Sequence, residues 1–552
     1  MLSVENPSQR LRDSVTLVSA LLLVHIFLIV NGGLFADDWL LFAIKSGYPV
    51  QTDFLIHGAG HPFLFLYVTL ANLSGHPVAC MKILALAGIV IGALNLRSFL
   101  LRLSVFSEFE AVTFSFLVWS YGGYQNWATK LLATYVFSFG LLCLGLNLLS
   151  IVASSDRPNI WLRLSSVATL FCSFSLNSMI AAYGIGLGAI FLAQAYREQA
   201  ERQGILSRIA AMCRRFPDFL VLPVIYWVSV NHFFPKIGPY ENYYRPRIPS
   251  AGEILSDLDD FWIWGFRKIL RQAIDVTKEA PYVLVLALVV GLAFTALVAR
   301  RRDRRQAIPI RAAVWPALAA IASFVICASP YLVSGLRPAS HFFESRHLIL
   351  LGVPLGFVLV WTFRMTGLVV PGNIAGRTVI ALLLTINLCA LWNGYFLQQA
   401  RWLRQEALID HLRRAYAEPP ATVFDLVDGF ADYPWHTYLG SAEVTGTLHL
   451  AWDHRPLFGF TGNKERSTIL RDIDAATHTE GSPFRDIEPW GQQATIELVP
   501  RTPVLANAAL ARSYYLCLVR ACDARSLIDD LVDVTVRVGP IPNLAPRQQQ
   551  PD

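Results

Sequence analysis

Runs of about 20 apolar residues, the length that crosses a bilayer core, recur from Val15 to Phe396 with short arginine clusters between them. In lipid, a run of that length can satisfy its backbone only by forming a helix. The chain is therefore expected to be mainly α, a polytopic transmembrane helical bundle. Composition agrees, since only 16% of residues are charged, against roughly 25% in soluble domains. Beyond Phe396 the runs stop and charge rises, so a transmembrane domain over 1–396 and a soluble domain over 397–552 are expected.

Spans are expected at 15–34, 78–97, 109–121, 131–151, 160–174, 178–194, 217–234, 281–299, 312–334, 347–363 and 377–396. The first reads as retained rather than cleaved, because no small-residue cleavage site follows Val30. Cytoplasmic loops carry the excess of Arg and Lys. Arg10 and Arg12, Arg97 and Arg102, Arg157 and Arg163, the clusters at 197–215 and 300–305, and Arg364 with Arg377 all fall inside if there are eleven spans. That count requires 62–74 not to cross. This segment opens Pro62-Phe63-Leu64-Phe65 and is short for a span, so it reads as a helix lying in the interface. The N-terminus is then cytoplasmic and the tail extracytoplasmic, which in a bacterium means an inner-membrane protein with a periplasmic domain. The net charge of +6 sits in these clusters rather than in a binding stripe, which argues against nucleic acid as a partner.

The outer face then receives 35–77, 235–280, 335–346 and the tail. Asp37 and Asp38 open the first segment beside Trp39, and Asp53, His57 and His61 follow. Adjacent carboxylates at a membrane surface are costly unless solvated, paired or used. The stretch 235–280 reads as a loop rich in aromatics and arginine, including Tyr243, Arg245, Arg247, Trp262 and Trp264. Its arginines suit either interfacial anchoring or a phosphate. Arg346 and His347 stand at the mouth of the tenth span, as a snorkelling pair or as a cation for an anionic head group. Lys130 and Asn126 lie near the outer end of the fourth span, and His25 reads as a packed histidine. No span carries a carboxylate at its middle, where ion-coupled transporters place them. No nucleotide or zinc motif appears.

The last span is expected to continue as a helix to Tyr416, stopped by Glu418-Pro419-Pro420. Strands are expected at 422–427, 495–499, 514–519 and 532–538, which makes a small mixed α/β domain. Trp435, His436, Trp452, Asp453 and His454 are either a ligand surface or core and surface residues. Cys517 and Cys522 are placed to pair in an oxidising compartment.

The order of features over 15–103 resembles the GT-C superfamily of membrane glycosyltransferases, which includes the protein O-mannosyltransferase and lipid A aminoarabinose transferase groups. The likeness rests on span 1, Phe35-Ala36-Asp37-Asp38-Trp39, His61-Pro62 with an aromatic interfacial helix, and a span ending in Arg97 and Arg102. It implies a polyprenyl-phosphate-sugar donor and a glycan, lipid or protein acceptor. By analogy, Asp37 or Asp38 is the general base and Arg346, with His347 or Arg245, holds the donor phosphate. His57, His61 and Lys130 are further site candidates. The Asp-Asp pair, where Asp-Glu is common among mannosyltransferases, leaves the subfamily open. A divalent metal is left open too, with no complete ligand set in the sequence. The rival readings are an O-antigen-type polymerase or ligase using lipid-diphosphate glycan, a lipid or glycan transporter, and a non-enzymatic assembly protein acting through its tail.

Overall fold

The computed structural model describes residues 7–35, 38, 62–130, 133–155, 159–176, 179–197, 204–235, 247–299, 310–338, 343–369, 374–430, 439–452, 457–461, 491–501, 505–520 and 523–541. The helices of the apolar region are α1 (Pro7–Val24), α2 (Ile26–Val30), α3 (Pro62–Leu73), α4 (Pro77–Arg102), α5 (Glu108–Trp119), α6 (Ala133–Ala153), α7 (Ile160–Leu176), α8 (Ile180–Arg197), α9 (Ile205–Arg215) and α10 (Pro217–Phe233). They continue with α11 (Ala251–Trp262), α12 (Lys268–Glu279), α13 (Pro281–Ala299), α14 (Ile310–Ser334), α15 (Gly352–Val369) and α16 (Ile374–Ala415). Each expected span falls largely on helix. Among the described residues, six helical segments are long and apolar enough to cross a membrane: α4, α6, α13, residues 312–334 of α14, 344–369 including α15, and α16. The chain is a multi-pass membrane protein.

Local chemistry sets several boundaries. Ser107 starts α5 by accepting from the Glu110 amide at 3.3 Å, while Glu110 returns a bond to the Ser107 amide at 2.8 Å. Aromatic stacking then locks helices together. Trp119 lies 4.8 Å from Phe139 and Phe116 lies 4.2 Å from Phe294, pairs worth about 0.5–1.5 kcal/mol each beyond area burial.

Two sequence expectations need correction. The stretch 251–279 is not loop but α11 and α12, joined by a π-helical turn at Ile263–Arg267. Its period is amphipathic: Phe261, Ile269, Ala273 and Val276 are buried, while Leu255, Trp262, Leu270 and Ile274 are exposed. The segment 514–519 is not a strand. It lies in helix α18 (Asn507–Arg520), whose Ala508, Ala511, Tyr514 and Cys517 turn inward at helical spacing.

α16 is one helix of 42 residues that leaves the bundle and enters the tail, as the sequence suggested. There its Ala407, Leu408 and Leu412 pack against a sheet. The tail contains β1 (Val423–Asp428), α17 (Ser441–Ala451), β2 (Phe458–Thr461), β3 (Gln493–Pro500), α18, α19 (Ala524–Asp529) and β4 (Val532–Val538). Strand order is β2-β1-β3-β4, with β1 parallel to β2 and β3, and β4 antiparallel to β3. Phe424, Leu426, Ile496 and Leu498 face α16 and α17. Trp452 belongs to this core, stacked 5.5 Å from Phe424 and donating to the Tyr416 carbonyl at 3.1 Å. Trp435, His436, Asp453 and His454 lie outside the described residues. Cys517 is disulfide-bonded and the six cysteines of the apolar region are free; Cys522 is outside the described residues.

The tail is tied to the bundle through α16 and α18. Tyr515 packs 4.9 Å from Phe27, Tyr282 donates to the Ala508 carbonyl at 3.1 Å, and Gln405 donates to the Leu34 carbonyl at 2.9 Å.

Candidate active site

Between α5 and α6, the residues from Tyr121 to Lys130 form a connector that runs inside the molecule. Tyr121, Tyr124, Asn126, Ala128, Thr129 and Lys130 are at most 1% exposed. Connections normally run over the surface, because a buried one must find partners for its polar backbone. The amides of this one find them in α16, in the 3-10 segment at Ser345 and at Asp38, and its side chains add further bonds. The Gly122 amide donates to Asn387 Oδ1 at 2.9 Å, and Asn387 Nδ2 donates to the Ser120 carbonyl at 2.7 Å. Tyr121 Oη donates to the Gly265 carbonyl at 2.8 Å. Ser345 Oγ accepts from the Gln125 amide at 3.1 Å and from Asn126 Nδ2 at 2.8 Å. Gly122 is required here: a Cβ would come within 2.6 Å of the Asn387 carbonyl oxygen and 2.8 Å of Ala390.

At one end the connector meets the turn after α2. The Asp38 amide donates to the Phe35 carbonyl at 2.9 Å. Asp38 Oδ2 accepts from the Phe35 amide at 3.1 Å and from the Lys130 amide at 3.0 Å. Lys130 Nζ donates to the Gly33 carbonyl and, at 3.4 Å, to that of Asn31, and it lies 5.2 Å over the Phe35 ring. Burial pushes the Lys130 ammonium below the ordinary lysine range, and the Asp38 carboxylate partly opposes this. Asp38 and Lys130 are both fully buried, and together they brace residues 31–35.

His25 supports the same region from beneath. Its Nε2 lies 2.7 Å from the Trp119 carbonyl oxygen, which can only accept, so Nε2 carries the proton. Nδ1 then accepts from Tyr395 Oη at 2.6 Å. As the sequence suggested, His25 is a satisfied core histidine.

At the other end the connector meets a 3-10 segment, Phe343–Leu351, which leads into α15. Arg346 and His347 lie on it, 7% and 3% exposed. Arg346 Nε donates to His347 Nε2 at 3.3 Å, and His347 packs 4.6 Å from the Tyr331 ring. Charges at both ends act on Tyr124. Burial pushes its phenol far up; Tyr135, Asp38 and Tyr331 add to the shift, and Arg346 opposes it. One buried side chain thus lies in the fields of both the acidic turn and the buried arginine.

The connector therefore joins Asp38, Lys130, Arg346 and His347, which the sequence singled out separately. Asp37, Asp53, His57, His61 and Arg245 lie outside the described residues. Arg247 pairs with Glu253 at 3.1 Å. Among the described residues, no three His, Cys, Asp or Glu side chains converge in a metal-binding group. Sequence reasoning missed Tyr124, Ser345 and Asn387. The available signal was a glycine pair and three aromatics in a short polar interlude, Tyr121-Gly-Gly-Tyr124-Gln-Asn-Trp127.

No family model and no curated protein matches the chain. Two solved structures of ArnT from Cupriavidus metallidurans are similar to it in fold. The apo structure is 12% identical, over 91% of this chain and 94% of that one, with a TM-score of 0.38. The structure bound to undecaprenyl phosphate is 14% identical, over 92% and 94%, with a TM-score of 0.41.

Proposed function

We propose that this protein is a membrane glycosyltransferase that moves a sugar from a polyprenyl-phosphate donor to a glycan, lipid or protein acceptor. The observation that carries this reading is the buried connector, which meets Asp38 at its Lys130 end and Ser345, next to the buried Arg346, at Gln125 and Asn126. Glycosyl transfer needs an acceptor-activating carboxylate and a cation for the departing phosphate; Asp37, next to Asp38 in the chain, and Arg346 would supply them at this wall of the site. The arginine clusters support an inner-membrane orientation with the N-terminus cytoplasmic and this wall on the outer face. Nucleotide sugars are cytoplasmic, so a lipid-carried donor suits that side.

In this mechanism Asp37 is the base, because Asp38 already uses Oδ2 on two main-chain amides. The acceptor oxygen bonds to the anomeric carbon as its proton passes to the Asp37 carboxylate. The bond from that carbon to the phosphate oxygen breaks, and polyprenyl phosphate leaves with its charge against Arg346. Displacement in one step inverts the anomeric centre. Arg245, His57 and His61 are further candidates around donor and acceptor.

The test is turnover of polyprenyl-phosphate sugars by purified protein. Asp37→Asn is expected to lower turnover by about 10²–10⁴-fold at an unchanged melting temperature. Asp38→Asn is expected to lower turnover and melting temperature together, because its carboxylate holds the turn. Full turnover in both variants overturns the reading.

A further inference from the structure

We propose that Asp257 and Arg337 form a positioning clasp that sets Arg346 for the phosphate of a polyprenyl lipid; this rests on the site reading above. Asp257 lies on α11 and has no exposed surface. A carboxylate buried to that degree is costly without a cation. Its partner is Arg337, with Nε at 2.6 Å from Asp257 Oδ1, while Asp260 lies 3.8 Å from Nη1 of the same guanidinium.

The clasp closes around the chain that leaves α14. The Arg247 amide donates to the Val333 carbonyl at 2.9 Å, and Arg247 pairs with Glu253 one turn before Asp257 on α11. Gly335 holds φ at 69°, and a Cβ there would stand 2.8 Å from Arg247 Nε. The segment 333–337 is therefore gripped at Val333 by Arg247, which precedes α11, and at Arg337 by Asp257 on α11.

The grip reaches the site through the Arg337 main chain. The Arg337 carbonyl lies 3.3 Å from His347 Nδ1, and Glu344 Oε2 lies 3.5 Å from the same nitrogen. Both oxygens accept, so Nδ1 carries the proton and Nε2 is left with a lone pair. That lone pair accepts from Arg346 Nε at 3.3 Å. The order of contacts is Asp257, Arg337, His347, Arg346. In it His347 is a positioning residue that holds the guanidinium in one orientation, and Asp257 acts one step further out.

Two measurements on the full-length protein test this: polyprenyl phosphate binding, and KM and kcat for transfer. Asp257→Asn is expected to weaken lipid binding and raise donor KM by about tenfold, with kcat changed less than about twofold. Arg337→Lys keeps the charge but loses the close Nε contact, and it should move KM the same way; it serves if Asp257→Asn fails to fold. Exchanging the pair as Asp257→Arg with Arg337→Asp should recover part of the loss. Unchanged binding and KM in a folded variant overturn the clasp while leaving the transferase reading in place. Weakened binding in a protein that transfers no sugar supports the clasp and overturns the transferase reading. No binding of polyprenyl phosphate by the wild type overturns both.

Discussion

The two ends of α5 hold buried charge in different ways. At its start, Arg364 forks onto Glu110 with contacts of 2.6 and 2.8 Å. Its remaining donors reach the Ala312 and Val105 carbonyls at 2.7 Å each, and its guanidinium lies 5.4 Å over Trp315. Arg97 pairs with Glu108 beside it. Each cation there faces a carboxylate. At the other end, about 18 Å away at 1.5 Å per residue, Asp38 rests on amides, Lys130 on carbonyls and Arg346 on an imidazole. Main-chain amides, main-chain carbonyls and an imidazole are among the groups that hold these three side chains, and the Asp38 carboxylate also acts on Lys130. The first arrangement is a set of direct ion pairs that fastens helices, and the second gathers along one connector the groups that the proposed transfer would use.

The largest expected effect breaks that contrast or confirms it. Glu110→Gln leaves a buried guanidinium without its carboxylate and is expected to cost about 3–5 kcal/mol of stability, read as the melting temperature in detergent. Adding Arg364→Met should restore much of it, since an apolar replacement of a whole buried pair is often neutral. Arg346→Ala is expected to do the reverse, with transfer reduced by about 10²–10³-fold and melting little changed. If Arg346→Ala melts as early as Glu110→Gln, both ends are structural and the contrast fails.

How much of this was legible in the sequence depended on which signal dominated each stretch. Spans were legible because lipid imposes length and apolarity on them, and the run of α16 into the tail because nothing breaks its helical pattern before Glu418-Pro419-Pro420. Asp38, Lys130, Arg346 and His347 stood out as titratable groups near span ends, yet nothing in the sequence joined them. The joining piece is a polar connector, and polar connectors are expected outside; only folding shows that this one is enclosed. In α11, the Ser250 and Glu253 capping box and the inward period were both present. The density of tryptophan and arginine drew attention to composition instead of period. In α18, Tyr514-Tyr515-Leu516-Cys517-Leu518-Val519 has the composition of a strand, but packing of alternate helical turns against α16 decides the outcome.

A smaller effect sharpens the connector's part. Gly122→Ala places a methyl 2.6 Å from the Asn387 carbonyl oxygen, and such overpacking costs about 1–3 kcal/mol. Because Gly122 is in the same buried strip as Tyr124 and Lys130, the loss should appear in transfer as well as in melting temperature. Gly367→Ala is the control, since nothing lies within 4 Å of a Cβ there. Equal behaviour of the two variants would mean that the connector yields freely and does not hold the site.

The smallest expected effect depends on pH. Lys130 is buried and its folded-state pKa is lowered, so over the interval below the ordinary lysine value the unfolded chain binds more protons at this group than the folded one does. Stability therefore rises with pH across that interval. The cost of burying the ammonium is fully present below the folded pKa, and it fades as the pH climbs toward the unfolded one. Within that interval the slope is about 1.4 kcal/mol per pH unit. Lys130→Met removes the titrating group, so the difference between wild type and variant should shift in favour of the wild type from about pH 7.5 to about pH 9.5, measured by thermal unfolding. A constant difference over that range would mean that Asp38 offsets the burial in full. The charge on Lys130 would then be neutralised as completely as that on Arg364, and the two ends of α5 would differ only in which atoms do the neutralising.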